Sequence, residues 1–149
     1  MPHVFAYGTL MFPEVAVPVA EIYGDGEPVT IQGFRRYEAL TRSWGNFPAI
    51  GRDANSTVDG LLFRDLSEKQ LERLDWFEDV HERLYVREQI QLEVRHERVK
   101  VFLYVCGPGL EERLLQPLSR AWSPELFRRN ELNRYVKQVV YPAVQSRSG

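Results

Sequence analysis

The sequence predicts an α+β fold: a small, mixed, mostly antiparallel β-barrel or strongly curled sheet with flanking helices. Three observations point there. Residues 84–94 alternate apolar and polar side chains, and residues 99–105 return after the polar turn Arg95-His96-Glu97-Arg98, the pattern of a hairpin buried on one face. Shorter strand-like runs at His3–Tyr7, Val29–Leu40, Phe47–Gly51 and Thr57–Phe63 follow one another closely. Well-signalled helices are few, one at Ser67–Glu78 and one at about 124–140, too few for the strict alternation of a doubly wound parallel sheet.

Composition bounds the rest. A chain of 149 residues with 44% hydrophobic and 27% charged residues is a single domain with a real core. We expect that domain to span residues 1–142, with 143–149 a disordered tail. The 19 basic and 21 acidic residues, net −2, form no long runs, so nothing marks the chain for nucleic acid or for an anionic membrane. There is no 18-residue apolar run and no basic leader before an apolar stretch, which predicts a soluble, cytoplasmic protein. The single cysteine, Cys106, excludes an intramolecular disulfide and falls in an apolar strand, where a thiol behaves as a small hydrophobe. His3, His81 and His96 are scattered without metal-site spacing, so no metal is expected, and His81 reads as a solvated loop residue.

Taken in order, His3–Tyr7 is a short apolar strand ended by Gly8-Thr9-Leu10. A glycine there opens backbone angles closed to other residues, so the three amides can converge as an anion-binding nest; a plain tight turn is the alternative. Residues 13–23 predict a short helix interrupted by Pro18, with Gly24-Asp25-Gly26 as its exit. Val29–Leu40 is a strand with Gly33 as a bulge. Ser43–Asn46 is a loop, Phe47–Gly51 an extended segment whose Pro48 suits an edge or a site wall, and Arg52–Ser56 a polar turn. Thr57–Phe63 returns as a strand. Gly107-Pro108-Gly109 breaks the last strand, Ser123-Pro124 opens the C-terminal helix, and Pro142 stops it. Trp122, Phe127 and Tyr135 anchor that helix on the body, with a lid or a homodimer contact as alternatives.

The stretch Leu71–Glu78 organises the chain. Ser67-Glu68-Lys69-Gln70 has the form of a capping box. At about 100° per residue Leu71, Leu74 and Glu78 share one stripe, with Asp75 at its edge. Glu78 therefore points where the leucines point, in a last turn whose dipole disfavours negative charge. Such a carboxylate is a functional candidate. Two plainer readings stand beside it: a solvated turn after a helix ending at Phe77, or a structural partner for Arg83 or Arg87.

Phe5-Ala6-Tyr7-Gly8-Thr9-Leu10, Phe47-Pro48-Ala49-Ile50, Val58-Asp59-Gly60, Leu74-Asp75-Trp76-Phe77-Glu78 and Tyr85-Val86-Arg87 together resemble, in order and rough spacing, the gamma-glutamylcyclotransferase-like family. The likeness is to its gamma-glutamylamine cyclotransferase and plant avirulence-induced-gene-like branch and covers residues 4 to about 105; the 122–141 helix is similar to one in the plant-like members. The resemblance implies a small barrel, no cofactor, and release of 5-oxoproline from a gamma-glutamyl-amine or related small amide. It implies Glu78 as acid/base and Tyr7, Gly8, Thr9 and Leu10 as the glutamyl cradle, with Phe47, Pro48, Tyr85 and Arg87 as further substrate-site residues. Phe47 replaces a frequent tyrosine and Asp79 a frequent glycine, which bears on the substrate. A non-catalytic binding module for a small glutamyl-like acid or a peptide end is the competing reading, because fold does not fix function.

Overall fold

The computed structural model describes residues 1–41 and 45–148. At its centre is β1 (Val4–Ala6), three residues long and buried throughout. Val4 and Ala6 join the core under the helices, whereas Phe5 and the following Tyr7 join a second core inside the curl of the sheet. A strand buried on both faces has no polar side to show, which is why this run does not alternate.

Around β1 run β2 (Glu27–Thr41), β3 (Gly45–Phe63), β4 (Tyr85–Val94) and β5 (Glu97–Cys106), in the order β2-β3-β1-β5-β4. All pairings are antiparallel except β1 with β5. The ladder has two ends, β2 and β4, so the sheet is not strictly closed. It is nonetheless curled enough that Arg52 of β3 reaches Glu88 of β4 at 2.7 Å, although β1 and β5 lie between those strands in the order. The α+β, mostly antiparallel architecture expected from the sequence is what the chain adopts.

The helices are α1 (Pro13–Ala20), α2 (Glu68–Phe77), the short α3 (Pro108–Glu111), and a C-terminal series of α4 (Pro124–Asn130), α5 (Leu132–Tyr135), a π-helical segment (Val136–Val140) and α6 (Tyr141–Ser148). The capping box opens α2 as its sequence requires: Ser67 Oγ accepts from Gln70 N–H at 3.0 Å, and Gln70 Oε1 accepts from Ser67 N–H at 2.9 Å. The two-residue turn between β4 and β5 places Arg95 and His96 at φ +50° and +68°, matching the twist of a tight hairpin. None of the described helices is long and apolar enough to cross a membrane.

Several expectations need correction. Arg52–Ser56 is not a turn: β3 is continuous, and five strands form rather than six. Its polar residues sit opposite Gly33, where pairing jumps from Gln32↔Thr57 to Phe34↔Arg52, and Asp53 folds the bulge on itself by accepting from Asn55 N–H and Ser56 Oγ. Gly33, at φ +86°, is the bulge residue anticipated. Pro18 does not interrupt α1; the helix runs past it and ends where Glu21 turns left-handed at φ +56°. Nor does Pro142 stop the C-terminal helix, and the tail is not irregular: residues 141–148 are helical. The π-helical segment just before Pro142 already departs from the i→i−4 ladder that a proline would disrupt. Of the expected loop at Ser43–Asn46, Ser43 and Trp44 lie outside the described residues, whereas Gly45 and Asn46 already belong to β3, paired with Thr41 and Leu40.

Candidate active site

Where β1 runs out, its chain meets β3, the end of α2 and the C-terminal helix around a cavity of about 510 Å³. Tyr7, Gly8, Thr9 and Leu10 form one wall, Phe47 and Pro48 a second, and Trp76 to Asp79 a third. Of the candidate site residues only Arg87 stays off the cavity wall.

The cradle is built from backbone. After Gly8 the chain enters a 3-10 turn, Thr9–Met11, closed by Met11 N–H to Gly8 O and Phe12 N–H to Thr9 O, both at 3.1 Å. The N–H groups of Gly8, Thr9 and Leu10 have no acceptor among the described residues, so three donors remain on a segment that lines the cavity. Glycine at position 8 is also required by a close approach. Gly8 has φ −125° and ψ −134°, and a Cβ there would stand 2.7 Å from Pro48 Cγ. Pro48 is fixed in turn by Tyr85, whose hydroxyl donates to its carbonyl at 2.6 Å. Gly60 of the Val58-Asp59-Gly60 motif plays a similar part, since its Cβ would lie 2.4 Å from Ala6 O.

Opposite the cradle, α2 ends at Phe77 and Glu78 is its C-cap, donating its N–H to Leu74 O at 2.9 Å. The turn out of the helix uses Asp79 at φ +52°, a left-handed position that glycine fills at no steric cost. Glu78 is half-buried on the cavity wall, and its carboxylate has no hydrogen bond or ion pair among the described residues. Burial first, then the charges of Asp79 and Asp75, push its pKa up to about 8. The helix does end at Phe77, as the first plainer reading had it, but Glu78 is not in open solvent; and no ion pair joins it to Arg83 or Arg87 among the described residues, Arg87 being taken by Asp75, Nη1 to Oδ2 at 2.8 Å.

Phenols complete the enclosure. Tyr7 donates to Tyr104 O at 2.6 Å, Tyr104 donates to Asp75 Oδ1 at 2.7 Å, and the hydroxyls of Tyr135 and Thr9 meet at 3.4 Å. Burial raises the pKa of Tyr7, Tyr85, Tyr104 and Tyr135, so all four stay neutral near pH 7. Among the described residues no group of His, Cys, Asp or Glu is arranged to hold a metal ion. Cys106 is half-buried with its thiol pushed up to about 11, which keeps it a thiol. His81 is exposed, as expected, and stacks on Trp76 of the cavity wall with ring centroids 4.9 Å apart.

Sequence reasoning missed the contribution of the C-terminal helix. Tyr135, Gln138, Val139, Ala143 and Ser146 form the remaining wall, a spacing that gives one helical face. Tyr135 and Val139 already stood out at helical spacing, but their stripe alone does not say which partner it covers. Tyr104 was also unforeseen, being one of many apolar residues along β5.

Comparison with known proteins identifies the family and the fold. The family model described as gamma-glutamyl cyclotransferase, AIG2-like, matches residues 4–124. AIG2-like protein C of Arabidopsis thaliana is 30% identical over 102 residues, which span 68% of this chain and 56% of that protein. A solved gamma-glutamyl cyclotransferase superposes with a TM-score of 0.63 at 16% identity, covering 93% of this chain and 85% of the other. A solution structure from Arabidopsis thaliana gives 0.59 at 23% identity, covering 91% and 78%. At such identities the structural likeness establishes the fold. Residues 135–146, which wall the cavity, lie beyond the matched segment.

Proposed function

The chain belongs to the gamma-glutamyl cyclotransferase, AIG2-like family, and from that premise we propose that it releases 5-oxoproline from a gamma-glutamyl-amine or related small amide, without a cofactor and with Glu78 as general acid/base. The observation that carries this is the unpartnered Glu78 carboxyl, its pKa raised to about 8, facing three unsatisfied backbone donors across one cavity.

The chemistry requires a base. The substrate's α-amine must attack its own γ-carbonyl, yet an α-amino group with a pKa of roughly 8 is mostly an ammonium at neutral pH. A carboxylate of similar pKa exchanges that proton at little cost. Glu78 takes a proton from the α-ammonium, the freed amine forms the new C–N bond, and the bond to the leaving nitrogen breaks as Glu78 delivers the proton to it. The ring nitrogen loses a second proton as the lactam forms, and the leaving amine collects it and departs as an ammonium. Among the described residues none that lines the cavity is lysine, arginine or histidine, so the donors open to the substrate's α-carboxylate are uncharged, and the Gly8, Thr9 and Leu10 amides are the three that lie together on one segment. Held there, the glutamyl chain is folded for closure, which removes much of the entropic cost of cyclisation.

The test is 5-oxoproline release, followed by mass spectrometry, from gamma-glutamyl amines, gamma-glutamyl amino acids and glutathione. Release from at least one supports the proposal and names the leaving group. No release, together with a thermal shift from the same compounds, overturns it in favour of a binding module.

A further inference from the structure

Arg36 of β2 is absent from the cavity wall but sits directly behind the cradle. Its Nη1 donates to Tyr7 O at 2.8 Å and to Asp59 O at 3.2 Å, and its guanidinium lies over the Trp122 ring at 5.5 Å. Its Nε is buried without a hydrogen-bond partner among the described residues. Arginine gives up solvent at that atom only where other contacts hold it in place. Here the holding contacts are two carbonyls and an aromatic face.

One of those carbonyls belongs to the Tyr7–Gly8 peptide. In a trans peptide the C=O and the N–H point to opposite sides of one plane. A cation fixed on Tyr7 O therefore sets the direction of Gly8 N–H, and it withdraws electron density from that amide and strengthens it as a donor. Gly8 lines the cavity and its N–H has no acceptor among the described residues. The second carbonyl, Asp59 O, belongs to the motif whose Gly60 lets β3 approach Ala6. The Val58-Asp59-Gly60 motif thus serves the cradle from behind.

We infer that Arg36 is a positioning residue: by holding the Tyr7 carbonyl it aims and strengthens Gly8 N–H as a donor to the α-carboxylate of the glutamyl substrate. This rests on the cyclotransferase reading and assigns the anionic end of the substrate to Gly8 rather than to any cationic side chain. Because every substrate shares that end, losing Arg36 weakens all of them equally and leaves the leaving-group preference unchanged.

The experiment is steady-state kinetics of wild type, Arg36→Met and Arg36→Lys on two gamma-glutamyl substrates with different leaving amines, with melting temperatures alongside. Arg36→Met is expected to raise KM about tenfold on both, the worth of one charge-assisted hydrogen bond, with kcat within about twofold. Arg36→Lys, which keeps a charged donor, is expected to recover most of that loss, and it supplies the measurement if the methionine variant does not fold. An unchanged KM in active variants, a KM change confined to one leaving amine, or no recovery with lysine overturns the inference alone. No turnover by wild type overturns the cyclotransferase reading and this inference with it.

Discussion

Asp75 and Glu78 stand three residues apart near the end of α2, and the fold treats them oppositely. Asp75 is fully engaged, with Arg87 on one oxygen at 2.8 Å and the Tyr104 hydroxyl on the other at 2.7 Å. Glu78 has no such partner among the described residues and a pKa raised to about 8. A paired carboxylate at a helix end anchors structure. An unpaired one in an enclosed wall costs folding free energy, and its retention is explained by chemistry.

Exchanging the two roles is the most direct way to break that contrast. Glu78→Gln keeps the shape and removes the proton carrier, so kcat is expected to fall about a thousandfold, the usual range for general acid/base catalysis. Its stability should move the other way. Glu78 has a folded pKa above its unfolded value, so its contribution to stability is complete below the ordinary carboxylate range and is lost as pH rises towards about 8. The glutamine variant should therefore melt at or above wild type at pH 8, with the difference vanishing near pH 4. Retained turnover, or a lower melting temperature at pH 8, contradicts the functional assignment.

Asp75→Asn should do the reverse. It breaks the pair to Arg87, and for a partly exposed pair the loss is about 1 kcal/mol, read from urea denaturation. Turnover should stay within about threefold. If Asp75→Asn abolishes turnover as completely as Glu78→Gln, the distinction between the two carboxylates fails.

The smallest expected effect is the most specific. Asp79 contributes to the raised pKa of Glu78 and occupies a left-handed position. Asp79→Gly should move the midpoint of the kcat/KM pH profile downward, and stability should rise by several tenths of a kcal/mol as the left-handed strain is relieved. An unmoved midpoint would show that the Asp79 charge takes no part in setting the pKa.

Much of this is legible in the sequence alone. Local chemistry gave the capping box, the β4–β5 hairpin and the bulge at Gly33, because each depends on residues close in the chain. Glu78 was visible because one helical stripe mixed leucines with a carboxylate. What stayed hidden depends on distant neighbours. Arg52–Ser56 has the composition of a turn and becomes a bulge only because β2 pairs on both sides of it. Pro142 marks a helix end by local rules, yet helical structure continues through it in a segment that packs over the cavity. The need for glycine at position 8 comes from Pro48, forty residues away. Tyr85 and Arg87 belong to one motif and, two residues apart, share one face of β4, but Arg87 is held by Asp75 and only Tyr85 lines the cavity.

The measurement closest to the central claim is the titration of the Glu78 carboxyl itself, followed by carbon-13 NMR between pH 3 and 10 with Glu78→Gln to assign the resonance. The account predicts a midpoint near 8 that coincides with the rise of kcat/KM. A midpoint near the ordinary value of 4.5 would contradict it, leaving Glu78 a solvated carboxylate with no special fitness to carry the proton.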